Sequence, residues 1–184
     1  MTSYPVSIKD VGTAFGKIGS TTGVLHPNVV FQSQRDGEQK IGWFVESQKW
    51  TVGLISNGEK HLLEIPLPPF IFIGSGKRYG VVAVEKRPLS ENEPIFHFPA
   101  PNLSGPAGSI CWGSGSGSLP KATMETMAQV ANRFVSETWF NDHQQNGRVK
   151  SRDVHKLWLK LHNKRNKTFP KRELIQAGTV RDLL

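Results

Sequence analysis

The chain has a single cysteine, Cys111, among 184 residues. One thiol closes no internal disulfide, which points to a reducing, cytoplasmic compartment. No apolar run comes near the roughly 20 residues that span a bilayer, so no membrane-crossing helix is expected. Residues 1–20 show no basic start followed by an apolar core, so no secretory signal is read there. The six histidines are scattered, and none stands at metal-ligand spacing from the cysteine, so no metal site is expected. The Gly74-Ser75-Gly76-Lys77-Arg78 run lacks the Gly-Lys-Ser/Thr element of a phosphate loop. No internal repeat is visible. Acidic residues are scarce in one stretch: residues 147–172 hold Asp153 alone, against ten lysines and arginines.

That basic block supplies the net charge of +8 and leaves residues 1–146 close to neutral. It implies an acidic partner, whether a nucleic acid, a membrane surface or an acidic protein, or else a solvated helix face. Lys156, Lys160 and Lys164 stand four residues apart and Arg165 adjoins them. Like charges on such a ladder repel unless a counter-charge binds, so these four are the candidate partner-binding residues.

The length fits one domain with a small appendage. Residues 1–22 read as an N-terminal tail or loose strand and residues 23–184 as the domain. A β-meander is expected over about 29–84. Its turns are Arg35-Asp36-Gly37-Glu38, Asn57-Gly58 and the glycine-rich run at residues 74–77. Prolines 66, 68 and 69 cannot donate to a central ladder, so a strand is expected only from about Phe70. Residues 96–118 carry no period and are dense in proline, glycine and serine, which marks a long and therefore functional loop. A helical part follows over about 120–184. Pro120 suits the first turn of one helix, with Met124, Met127, Ala128, Ala131, Phe134 and Val135 on its apolar face. A second helix is expected from Ser151 to about Asn163, with Val154, Leu157, Trp158 and Leu161 inward. His155 and His162 on it are read as added charge.

Cys111 follows Asn102 by nine positions, with a glycine-containing turn between. A thiol with a nearby amide donor is the minimal equipment for acyl-thioester chemistry: one is the nucleophile, the other steadies the tetrahedral oxyanion. Cys111 and Asn102 are therefore the candidate catalytic pair. His97, Pro101, Gly108 and Trp112 are candidate loop supports, with packing the plainer role for Trp112. No general base is evident beside the thiol except Asp142 or His143.

Meander, proline-rich crossing, long loop with Asn then Cys, then helices: this order resembles the ubiquitin-conjugating fold, an α+β architecture with an antiparallel β-meander followed by an active-site loop and C-terminal helices. Ala100-Pro101-Asn102 and Ile110-Cys111-Trp112 resemble that family's His-Pro-Asn and Ile-Cys elements, with Ala100 where the family has histidine. His97 is the candidate to take over that histidine's bracing, whereas the literal His26-Pro27-Asn28 lies too far upstream. Closer still is the resemblance, from Ile65 onward, to the prokaryotic family D of conjugating-like proteins, also called PRTRC system protein B. It rests on Ile65-Pro66-Leu67-Pro68-Pro69, Val81-Val82-Ala83-Val84, Pro99 to Asn102, Ile110 to Gly113, Leu157-Trp158, Phe169-Pro170 and the final Thr179 to Leu184.

The resemblance implies that Cys111 accepts a ubiquitin-like modifier from a ThiF-like activating enzyme and passes it to an acceptor. It also implies a deconjugating metalloprotease encoded nearby, and it calls for no cofactor. Two other readings stay open: a non-catalytic interaction module of the same fold, and a nucleic-acid binder built on the basic helices.

Overall fold

A computed structural model of the protein describes residues 26–35, 37–113, 118–141 and 147–184. The expectations for residues 1–22, for Ser114 to Gly117, and for Asp142 and His143 lie outside the described residues.

Three hairpins open the fold. β1 (Val29–Arg35) pairs with β2 (Glu38–Val45), β3 (Gln48–Ser56) with β4 (Glu59–Leu67), and β5 (Phe70–Ser75) with β6 (Arg78–Ala83). Asn57 and Gly58 take φ of 52° and 81°, the left-handed pair that a two-residue hairpin turn requires. The strands are antiparallel as expected, yet they divide between two sheets. β1-β2-β5-β6 continue into β7 (Pro94–His97) and β11 (Gln176–Thr179), while β3 and β4 form a separate sheet with β10 (Trp139–Phe140). β10 runs parallel to β3, pairing Trp139 with Gly53 and Phe140 with Leu54.

Pro66 lies inside β4, opposite Lys49, which corrects the expectation of a strand only from Phe70. β4 is the outer strand of its sheet, and an edge strand tolerates a missing N–H on its open side.

β5 is buried on both faces, which is why Phe70-Ile71-Phe72-Ile73 reads as a continuous apolar run. Phe70 and Phe72 face the main core, with Phe98, Met127 and Phe134. Ile71 and Ile73 face a second cluster with Phe44, Val82 and Ile95, closed by Val180 and Leu183 of the final 3-10 turn. Each such side chain contributes about 1.5–3 kcal/mol on burial.

Two helices cover the main core. α1 (Met124–Ser136) starts later than the sequence suggests. Pro120 and Ala122 are instead tied to the β5–β6 hairpin: the Tyr79 hydroxyl donates to the Pro120 carbonyl at 2.9 Å, and the Ala122 N–H to the Gly76 carbonyl at 2.7 Å. The helix then begins at the Thr123 cap, whose N–H donates to Thr126 Oγ1 at 2.9 Å. α2 (Val154–Asn163) begins where Asp153 Oδ1 accepts from the Lys156 N–H at 2.9 Å, three residues beyond the expected start. Its Val154, Leu157, Trp158 and Leu161 are buried. No helix among the described residues is long and apolar enough to cross a membrane.

Candidate functional site

The spacing of Asn102 and Cys111 has a structural origin. Two short strands, β8 (Leu103–Ser104) and β9 (Ser109–Ile110), form a hairpin with Leu103 opposite Ile110 and Ser104 opposite Ser109. One step further along that register sets Asn102 across from Cys111, and the Cys111 N–H donates to the Asn102 carbonyl at 2.9 Å. The nine-residue interval is thus the length of one tight hairpin, and its open end presents an amide beside a thiol.

Glycine fixes this hairpin to β6. The Val81 N–H donates to the Gly108 carbonyl at 3.0 Å, and Gly80 pairs with Ser109. Gly108 has φ of 61°, and a Cβ there would lie 2.0 Å from the Val81 carbonyl oxygen. No side chain fits that approach.

Asn102 is 8% exposed and holds φ of 60°, a left-handed conformation that asparagine tolerates better than most residues. Its Oδ1 accepts from the Asn141 N–H at 3.2 Å. That bond fixes the amide's orientation, because a backbone N–H can only donate. The Nδ2 donors have no hydrogen-bond acceptor among the described residues. Asn141 is itself held: its carbonyl lies 3.0 Å from His155 Nε2, and His155 is 8% exposed. His155 therefore positions the site from the first turn of α2, a correction to its reading as added surface charge. His162 is corrected too, since its Nδ1 accepts from the Glu64 N–H at 3.0 Å and joins α2 to β4.

Cys111 is exposed. It lines a cavity of about 280 Å³ together with Asn102, Trp112, Gly113, Arg133, Glu137, Thr138, Trp139 and Asn141. Trp112 packs its edge on Tyr79 and Phe134, with ring centroids 6.2 and 5.9 Å apart, so it serves as packing and as wall at once. Arg133, Glu137 and Trp139 escaped the sequence reading. The first two lie at the C-terminal end of α1 and the third in β10, remote from the loop in sequence.

Pro101 and Ala100 are buried. Their anchor is Trp158 of α2, whose Nε1 donates to the Pro99 carbonyl at 2.8 Å. His97 is half-buried at the end of β7, with Nδ1 3.4 Å from Arg148 Nη1. Burial first, and then the Arg148 charge, hold the His97 imidazole below its ordinary pKa of 6.5. His26 sits before β1, at the far edge of the large sheet from this loop, where its ring lies against Trp43.

Lys156, Lys160, Lys164 and Arg165 are exposed on and after α2. Lys156 lies 3.3 Å from Asp153, while the other three make no ion pair among the described residues. No cluster of three or more His, Cys, Asp or Glu side chains able to hold a metal ion occurs among the described residues.

A sheet-rich α+β scaffold, with an exposed thiol and an asparagine amide closing one hairpin, belongs to the class of conjugating-like proteins. The family model described as prokaryotic E2 family D matches residues 7–177, and the chain belongs to that family. No curated protein and no solved structure gives a significant match.

Proposed function

We propose that the protein is a conjugating enzyme that carries a ubiquitin-like modifier as a thioester on Cys111. The observation that carries this reading is the exposed sulfur sharing a cavity with an amide whose Oδ1 is tied back, leaving Nδ2 as the donor. The Cys111 thiolate attacks the thioester carbonyl that joins the modifier's C-terminus to a cysteine of a ThiF-like activating enzyme. A new C–S bond forms, and the carbonyl oxygen takes the charge beside Asn102 Nδ2. The bond to the activating enzyme's sulfur breaks, and that sulfur leaves as thiolate. An acceptor amine then attacks the new thioester, loses a proton to solvent, and expels Cys111 as thiolate. Because a thioester is already activated, a strong base beside the sulfur is not needed.

The setting that fits this chemistry is the reducing cytoplasm, within a plasmid-type PRTRC system that also encodes the activating enzyme, the modifier and a deconjugating metalloprotease. The test mixes wild-type or Cys111→Ser protein with that activating enzyme, modifier and ATP. Wild type is expected to form an adduct that a reductant cleaves and the Ser variant to form none. Absence of a reducible wild-type adduct ends the reading.

A second reading draws on Lys160, Lys164 and Arg165, exposed and without an ion pair among the described residues: an interaction module whose basic helix grips nucleic acid. It requires affinity that falls by roughly one log unit per log unit of salt for each phosphate contacted. Binding unchanged by neutralising those residues dismisses it.

A further inference from the structure

We propose that Arg148 is a positioning residue for the thiol–amide pair, gripping the hairpin between them with a buried guanidinium. The inference rests on the carrier reading above and deepens it.

Arg148 is 6% exposed. An arginine this buried is ordinarily paired with a carboxylate. Here no carboxylate lies within ion-pair distance among the described residues. Its partners are two points of the loop instead. Nη2 donates to the Gly105 carbonyl at 3.2 Å, and Nη1 lies 3.4 Å from His97 Nδ1. Gly105 is in the turn joining β8 to β9, and His97 is the last residue of β7, just before the loop. One rigid fork thus ties the loop's entrance to its far tip, and the segment between contains Asn102.

The energetics argue that this arrangement serves geometry rather than stability. Burying an arginine without a counter-charge costs several kcal/mol of desolvation. An apolar side chain of similar volume would fill the space without that penalty. A guanidinium supplies what an apolar group cannot: donors fixed in one plane, able to hold two acceptors at a set separation. Ala100, two residues before Asn102, is fully buried with no polar group to offer. The His97–Arg148–Gly105 link supplies a polar brace from a different direction. Neutral His97 must present its bare Nδ1 to Arg148, with the ring proton on Nε2.

The experiment uses the full chain and a diglycine thioester of 2-mercaptoethanesulfonate as acyl donor, with iodoacetamide as a probe that needs only an open thiolate. Arg148→Met keeps the chain length and removes the fork. Thioester exchange at Cys111 is expected to fall about 10-fold, with alkylation by iodoacetamide within about 2-fold of wild type. Hydrogen exchange at the Cys111 N–H, bonded to Asn102, should quicken about 10-fold while β5 and β6 amides stay protected. Arg148→Lys restores charge without the fork and should recover less than half of the exchange rate. His97→Leu, at a half-buried position that spares the fold, should move both loop readouts the same way by about 3-fold, and it decides the matter if Arg148→Met does not fold. Cys111 N–H exchange that stays at the wild-type rate in these variants, or rises only in step with β5 and β6, overturns the proposal. A loosened Cys111 N–H in a protein whose wild-type thiol takes no acyl group sinks the carrier reading and leaves the clamp standing.

Discussion

The β5–β6 hairpin and the Asn102–Cys111 loop touch each other and are held by opposite means. The hairpin is a ladder of paired strands with apolar clusters on both faces. Its contacts are many and each is replaceable. The loop is held by single polar bonds: Asn141 to Asn102 Oδ1, Cys111 to the Asn102 carbonyl, Arg148 to Gly105, Val81 to Gly108 and Trp158 to Pro99. Non-directional burial fills space but tolerates shifts of a fraction of an ångström. Hydrogen bonds lose strength steeply with angle, so a few of them set atomic positions that packing alone leaves loose. A rigid sheet with a precisely tied loop on it is how one scaffold separates stability from chemistry.

The largest effect should come where the two regimes meet. Trp158 is fully buried, lies edge-on to Phe140 with centroids 5.2 Å apart, and also holds Pro99. Trp158→Ala should cost about 4 kcal/mol in chemical denaturation. A loss below about 1 kcal/mol would mean that α2 does not anchor the loop. Next comes Asn102→Asp. The carboxylate keeps an acceptor for the Asn141 N–H and tolerates the left-handed backbone, yet it has no donor and adds charge where the oxyanion forms. Thioester exchange should fall about 100-fold with the melting temperature nearly unchanged. Equal exchange rates would show that the amide only shapes the turn. Smaller again is a pair of glycine variants that differ only in surroundings. Gly108→Ala meets the Val81 carbonyl and should cost about 2 kcal/mol or more. Gly113→Ala has a similar φ of 58° but nothing within 4 Å, and should cost about 1 kcal/mol. Matching losses in the two would remove the claim that close approach to β6 fixes the loop.

The comparison also explains what the sequence discloses. Short-range rules were readable: the Asn57-Gly58 turn, the inward face of α2, most of that of α1, where Ala128 is exposed and Val130 is buried instead, and the Asn102–Cys111 interval that a hairpin turns into an opposed pair. Long-range partners were not. Nothing local tells that β3 and β4 leave the neighbouring strands for a sheet closed by Trp139 and Phe140, because that pairing spans 86 residues. Pro66 argued against a strand, and only β4's edge position permits it. Arg148 looked like one of ten cations in a basic block, and His155 like a surface charge. Burial separates them from Lys160 and Lys164, and burial belongs to the tertiary fold. Arg133, Glu137 and Trp139 reach the cavity through folding alone, so no motif marks them.

The smallest effect tests the loop's tether by acidity. His97 meets Arg148 as an acceptor, so a proton on Nδ1 removes the bond and places a cation beside a buried cation. Burial and the Arg148 charge depress its pKa in the folded protein below the 6.5 of the free side chain. The unfolded chain therefore binds the proton more readily than the folded one as pH falls through 6.5. By linkage the His97 contribution is fully present above pH 6.5 and is lost progressively as pH falls toward the folded value. The change in melting temperature should be small, because His97 is only half-buried. It should be absent from His97→Leu, whose melting temperature should show a shallower slope between pH 7 and pH 5. The same drop in pH should lower the protection of the Cys111 N–H in wild type, measured as its exchange rate relative to the intrinsic rate at each pH, and leave the protection of β5 and β6 unchanged. If acid instead loosens both regions together, the loop has no separate tether and shares the sheet's means of support.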